Sequence, residues 1–183
     1  MKIIILDRDG VINHDSTEFI KNADEWEPIA GSIEAIADLT QAGYKVVVCT
    51  NQSGIGRKIY SMEDLNLIHE KMHKTVEQEG GKIVAIFFCP HTADDKCSCR
   101  KPNPSMILDI VDRFNIDNVS NLMFVGDSLR DLEAISIAGG IPVLVKTGNG
   151  KKTLADNKLP EGTLVFKNLL TFSQYLLAPK ESV

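Results

Sequence analysis

The chain has 183 residues, 43% hydrophobic and 25% charged, with 13 glycines and 7 prolines, which excludes a collagen-like, low-complexity or disordered polymer. Its 20 Lys and Arg against 25 Asp and Glu give a formal net charge of −5. That balance argues against a broad nucleic-acid-binding face and requires any anionic ligand to be held by a local cluster of cations.

The length predicts one domain over residues 1–183, of a size compatible with a monomer. A strand is expected at 2–6 and a long irregular stretch over 10–30, followed by a helix at 32–42 that Gly43 closes. A strand at 45–50 leads to a helix at 62–79, opened by a Ser61/Asp64 capping box and stopped by Gly80-Gly81. After a strand at 83–88 and a second irregular stretch over 89–104, Asn103 is expected to cap a helix at 105–114, with Pro104 at its first position. A strand at 122–125, a helix at 129–138, a strand at 141–145, a strand at 163–167 and a helix at 168–177 complete the pattern. The segment Gly148 to Lys152 reads as a turn. The strands are short, β-branched and without period-two alternation, as in parallel strands buried on both faces. The fold class is therefore α/β: a Rossmann-like, doubly wound parallel sheet. No apolar run approaches the ~18 residues of a membrane helix, and the Met-Lys start enters a strand with no small-residue cleavage site, so a cytoplasmic protein is expected.

Ligands of such sheets bind beyond the carboxyl ends of the strands. Four ends carry polar groups: Asp7-Arg8-Asp9-Gly10, Thr50-Asn51-Gln52-Ser53, the run from Cys89 to Lys101, and Gly126-Asp127-Ser128. Two carboxylates as close as Asp7 and Asp9 repel unless a cation joins them or one is protonated. With Asp127 they form a sparse oxygen set suited to Mg²⁺, which keeps several waters and also binds phosphate.

Asp7-Arg8-Asp9-Gly10, Thr50-Asn51, Lys101 and Gly126-Asp127 with Asp131 resemble, in order and spacing, the four motifs of the haloacid dehalogenase superfamily of phosphotransferases. The resemblance implies Asp7 as nucleophile through an aspartyl-phosphate and Asp9 as general acid, then general base. It implies Thr50 and Lys101 as stabilisers of the transferring phosphoryl group. Mg²⁺ would be held by the Asp7 carboxylate, the Asp9 carbonyl and Asp127, with Asp131 supporting from one helical turn on. Short loops are expected in place of a cap domain.

Cys89, His91, Cys97 and Cys99 put three thiolates and an imidazole in an eleven-residue polar loop, a set that fits structural Zn²⁺ in closed tetrahedral geometry. The expected role is to brace the loop that ends at Arg100 and Lys101, while Cys49 reads as core. Arg100 could grip phosphate bidentately, and Arg57 and Lys58 could read a second anionic group. Cys-Pro-His followed by Cys-Ser-Cys-Arg-Lys-Pro, with Thr50-Asn51-Gln52-Ser53-Gly54, resembles the D-glycero-D-manno-heptose 1,7-bisphosphate 7-phosphatases, enzymes of lipopolysaccharide core precursor (ADP-heptose) biosynthesis. It is also similar to bacterial histidinol-phosphate phosphatases, and Thr-Asn-Gln occurs in DNA 3′-phosphatases, against which the acidic charge speaks. Ser128 departs from the lysine, and Ser105 from the glycine, usual in the heptose enzymes. The resemblance implies that Asp15, Ser16, Thr17 and Glu18, with Asn51, Gln52 and Ser53, line the sugar side of the pocket. His69-Glu70-Lys71-Met72-His73 matches a zinc-peptidase pattern, but on a helix whose stripe Leu65, Ile68, Met72 and Val76 reads as ordinary amphipathic packing.

Overall fold

A computed structural model describes residues 1–179. In chain order these form β1 (Lys2–Leu6), α1 (Ser32–Gln41), β2 (Tyr44–Asn51), α2 (Ser53–Gly56), α3 (Met62–Gln78), β3 (Ile83–Cys89), α4 (Ser105–Arg113), a 3-10 turn (Val119–Asn121), β4 (Met123–Gly126), α5 (Leu129–Ile137), β5 (Ile141–Val145), α6 (Gly150–Ala155), β6 (Leu164–Phe166) and α7 (Leu169–Leu177). The six strands make one sheet in the order β3-β2-β1-β4-β5-β6, every pairing parallel. The order reverses between β1 and β4, so the carboxyl ends of these two strands open onto a crevice, the usual ligand position in an open α/β sheet.

Register explains the missing hydropathic alternation. Ile4, Leu6, Val46, Val48 and Val125 face one way, into a core with Ile36 and Leu39 of α1, Ile68 and Met72 of α3 and Phe172 of α7. Ile3, Ile5, Val47, Cys49 and Phe124 face the other way, against Met106, Ile107 and Ile110 of α4 and Ala134 and Ile135 of α5. Both faces are dry, so both parities of each strand are apolar.

The long stretch between β1 and α1 is a packed part of the domain. Val11, Ile12, Ile20 and Trp26 are buried in the first core. Lys71 of α3 ties the stretch down by donating from Nζ to the Ala23 and Trp26 carbonyls at 2.7 and 2.9 Å. The Ser61/Asp64 capping box of α3 is formed, with Asp64 N–H donating to Ser61 Oγ and Ser61 N–H to Asp64 Oδ2.

Local readings at two places are corrected, and one short helix is added. Pro104, with helical backbone angles, is the residue before α4, and Asn103 makes no side-chain cap; its own N–H donates to the Arg100 carbonyl. Gly150 to Lys152 begin α6 rather than finish a turn, and Ser53 to Gly56 form the single turn α2.

Candidate active site

Asp7 leaves the end of β1 with its N–H on the Val125 carbonyl of β4, so the backbone that carries it spans the crevice. Its Oδ1 accepts the Arg8 N–H at 2.7 Å and its Oδ2 lies 3.1 Å from Lys101 Nζ. Lys101 is 2% exposed, and its ammonium also meets Asp131 Oδ1 at 2.7 Å and donates to the Cys49 carbonyl at 2.8 Å. Three acceptors match the three hydrogens, which fixes the direction of the charge. Burial alone would lower the Lys101 ammonium, but Asp131 and Asp7 outweigh it and hold the ammonium above its ordinary range. Asp131, fully buried in the first turn of α5, also accepts the Ser128 N–H at 3.1 Å. Asn51 pins the backbone of Lys101 from β2, accepting its N–H and donating to its carbonyl, each at 3.1 Å.

Asp127 follows β4. Its Oδ1 accepts from Ser128 Oγ at 2.8 Å and its Oδ2 from the Asn149 N–H at 2.7 Å, while Thr153 Oγ1 donates to its carbonyl at 2.8 Å. Gly10 and Gly148, both at positive φ, press on this carboxylate from two loops; a Cβ at either would lie 2.2 Å from Asp127 Oδ2. Asp7, Asp127 and Asp131 each offer a carboxylate oxygen within 4.8 Å of one another. Asp131 is taken up by Lys101 and Ser128, which leaves Asp7 and Asp127 as available anionic donors. Burial above all pushes Asp7 to about 7, against the pull of Lys101 and with Asp131 and Asp9 repelling it, and burial with repulsion from Asp7 pushes Asp127 to about 6. Two desolvated carboxylates that resist ionisation on their own are the donor set a hard divalent cation fits, and Mg²⁺ bound there would supply Lewis-acid stabilisation to a phosphoryl oxygen.

Asp9 is partly exposed and held as a carboxylate. Burial would raise its pKa, but Arg8 donates from Nη2 to both its oxygens at 3.0 Å, with Asn13 Nδ2 at 2.8 Å and Gln52 Nε2 at 2.9 Å, and together these keep it below the usual range. Arg8 is itself buried and reaches within 3.5 Å of His69 Nε2. Burial above all, with Arg8 second, lowers His69 to about 3, so this imidazole is a neutral packing partner in the core rather than half of a peptidase site.

Of these groups Asp7, Arg8, Asp9 and Asp127 line a cavity of about 160 Å³, while Lys101 and Asp131 are buried outside its lining. Of the expected substrate-side residues, Asp15, Ser16, Asn51, Gln52, Ser53 and Arg100 line it. Thr17, Glu18 and Arg57 do not: all three are exposed, and Phe19 and Ile20 face the cavity in place of the first two. Lys58 is likewise exposed outside it. The α2 turn carries Arg57 and Lys58 away, and the second cation on the rim is Arg130, at the start of α5. Sequence reasoning missed Arg8, Arg130, Tyr60 and Asn149. The last stands just beyond β5, a fifth strand end that the rule of carboxyl ends covers; its Nδ2 donates to Asp15 Oδ2 at 2.9 Å.

Beside the cavity, Cys89 Sγ lies 3.1 Å from Cys99 Sγ and 3.6 Å from Cys97 Sγ, with Cys97 and Cys99 3.6 Å apart. His91 Nδ1 is 3.6 Å from Cys89 Sγ and 3.3 Å from Cys99 Sγ. A tetrahedral Zn²⁺ with bonds near 2.3 Å spaces its ligands by about 3.8 Å, so four soft and borderline donors already converge at nearly that spacing. Arg100 Nη1 donates to the His91 carbonyl at 3.2 Å, so this cluster anchors a cation of the cavity rim. Cys49 lies apart from the cluster, fully buried in the core.

Comparison with known proteins agrees with this architecture. A protein of Neisseria meningitidis serogroup A named D-glycero-beta-D-manno-heptose-1,7-bisphosphate 7-phosphatase is 59% identical over 179 residues, 97% of this chain and 95% of that protein. One of the same name from Vibrio cholerae is 36% identical over 97% of both. The crystal structure of D,D-heptose 1,7-bisphosphate phosphatase from B. bronchiseptica, complexed with magnesium and phosphate, superposes with a TM-score of 0.95 at 54% identity, covering 97% of this chain and 98% of that one. The profile of the haloacid dehalogenase-like hydrolases matches residues 14–139. With a match to these phosphatases that spans nearly the whole chain in sequence and backbone, and an acidic crevice at the expected strand ends, the chain belongs to the haloacid dehalogenase-like hydrolase family.

Proposed function

We propose that this protein removes the 7-phosphate of D-glycero-β-D-manno-heptose 1,7-bisphosphate, leaving heptose 1-phosphate for ADP-heptose and lipopolysaccharide core synthesis. The observation that carries the reading is the Asp7–Lys101–Asp131 cluster facing Asp127 across the β1/β4 crevice, in a chain 59% identical to a phosphatase of that name. The chemistry is phosphoric monoester hydrolysis in two displacements. A carboxylate oxygen of Asp7 bonds to phosphorus as the bond from phosphorus to the sugar oxygen breaks, and Asp9 passes to that oxygen the proton that the phosphate monoanion brings. Asp9, now the carboxylate that Arg8 and Asn13 stabilise, takes a proton from water. The hydroxide attacks phosphorus, and the bond to Asp7 breaks. Lys101 and the Thr50 hydroxyl stabilise the phosphoryl oxygens, an electrostatic task in a site largely shielded from water.

Mg²⁺ is the catalytic ion of this reading, with Asp7, the Asp9 carbonyl and Asp127 as its protein ligands. The magnesium in the B. bronchiseptica structure supports it. Zn²⁺ on Cys89, His91, Cys97 and Cys99 is structural and braces Arg100. Arg100 and Arg130, both lining the cavity, are the cations available to the 1-phosphate, with Asp15, Ser16 and Ser53 near the sugar. The protein acts as a monomeric, cytoplasmic single domain without a nucleic-acid partner. No helix among the described residues is long and apolar enough to cross a membrane.

A phosphate-release panel tests the reading, comparing heptose 1,7-bisphosphate, histidinol phosphate and a 3′-phosphorylated oligonucleotide. The bisphosphate should dominate by ~100-fold or more in kcat/KM, and Arg130→Gln should raise its KM by about tenfold while sparing p-nitrophenyl phosphate. A dominant rate with histidinol phosphate or the oligonucleotide overturns the substrate assignment.

A further inference from the structure

The Gln52 side chain is 3% exposed, and its amide makes four hydrogen bonds, which is its full capacity. Oε1 accepts from Tyr60 Oη at 2.6 Å and from Arg8 Nη2 at 3.1 Å. Nε2 donates to Asp9 Oδ2 at 2.9 Å and to Thr50 Oγ1 at 3.0 Å. The orientation of the amide is dictated by its neighbours. A guanidinium can only donate, so turning the amide over would set NH₂ against Arg8 and lose that bond.

Thr50 therefore accepts from Gln52. Its own hydroxyl hydrogen has no other acceptor among the described residues, while its side chain lines the cavity. A phosphoryl group above Asp7 needs a donor at this position. We propose that Gln52, locked by Arg8 and Tyr60, is a positioning residue that sets the polarity of Thr50, so that its hydroxyl points as a donor at the transferring phosphoryl group. The inference rests on the reading of Thr50 given under Proposed function. It moves Gln52 from the sugar-contacting residues, where the resemblance places it, into the support of the reaction centre.

Tyr60 belongs to the device through its hydroxyl as well as its ring. It lies in the segment after α2, is buried, and stays a donor because burial pushes its phenol to about 12. Gly54 makes room for it: a Cβ there would stand 2.0 Å from Tyr60 Cε1. The Gln52-Ser53-Gly54 run is thus accounted for by one amide and the ring that holds it.

The test is a double-mutant cycle on the full-length, metal-loaded protein, with kcat and KM measured on heptose 1,7-bisphosphate. Gln52→Leu should lower kcat by about 30-fold and move KM by less than about twofold. Placed in Thr50→Val, which has no hydroxyl to orient, the same change should cost no more than about threefold. Tyr60→Phe keeps the ring against Gly54, should lower kcat by about fivefold with the same dependence on Thr50, and carries the cycle if Gln52→Leu does not fold. A rise in KM with kcat intact would make Gln52 a substrate contact and overturn the proposal. So would an equal loss in both backgrounds, which would place its action on Asp9 or on the fold. If Thr50→Val alone leaves kcat unchanged, the assigned role of Thr50 fails and the relay with it; a large Thr50→Val loss without coupling removes the relay alone.

Discussion

Asp7 and Asp127, on the cavity floor, and Lys101 and Asp131, buried outside its lining, are each at most 9% exposed and have partners on more than one strand end or loop. At the rim, Asp15 and Arg130 are exposed, Ser16 and Arg100 half-buried, and Arg130 has no ion pair or hydrogen bond among those described. The floor comes from parallel strands whose register is fixed over several residues, so its oxygens and nitrogens are held before any ligand arrives. The rim comes from residues of two loops and from the first turn of α5. Reaction chemistry is therefore a property of the sheet, and substrate choice a property of the loops.

The contrast is sharpest at Asp7. Asp7→Asn keeps the shape of the floor and removes the nucleophile, so phosphate release should fall by about 10⁴-fold or more while the melting temperature stays within a few degrees of wild type. A stopped assay beside a thermal melt checks both, and a rate near wild type would refute covalent catalysis through this residue.

The Cys89–His91–Cys97–Cys99 cluster is where floor and rim meet, because the same loop carries Lys101 inward and Arg100 outward. Cys99→Ser, or removal of zinc by a chelator, should lower the melting temperature by about 5–10 °C and raise KM several-fold before kcat declines. Zinc content by elemental analysis, set beside kinetics, checks this; full activity in zinc-free protein would separate the rim from the cluster.

The smallest expected effect is a dependence on pH. Asp7 at about 7 and Asp127 at about 6 bind protons more tightly folded than unfolded, where 3.8 applies, so their contribution to stability is fully present below 3.8 and lost as pH rises from there through the folded values. His69, held neutral down to about 3, works in the opposite sense between 3 and 6.5 and offsets one of the two carboxylates there, so the net decline of the magnesium-free protein is read between about 4 and 7. Because a metal binds the ionised carboxylates, the rise in melting temperature on adding Mg²⁺ should grow from near zero at pH 5 to a few degrees at pH 8. A rise independent of pH, followed by scanning fluorimetry, would place the ion elsewhere.

Much of this was legible in the sequence because strands and motifs are local. Buried β-branched runs located five of the six strands to within a residue or two, and located β6, observed over Leu164–Phe166, within the expected 163–167. The first acidic motif is contiguous, and the cysteine spacing describes a closed ligand set. What escaped is what depends on side chains meeting across the fold. Arg8 lies inside the motif, yet nothing local says that it points at Gln52 and His69. Asn149 reads as a turn residue because its partners, Asp15 and Asp127, are brought to it only by the sheet order. Arg57 has the right charge in the right region, but the turn of α2 sends it outward, a matter of dihedral angles rather than composition.

Gly10 and Gly148, far apart in sequence, meet beside the same oxygen of Asp127. Neither offers a side-chain atom to the chemistry, and each matters through the space that it leaves empty. In a survey of substitutions these two positions should behave as intolerantly as the acids themselves, whereas exposed Arg57 should accept wide variation. The tolerance map of this protein would then trace the volume around one carboxylate as faithfully as the atoms bound to it.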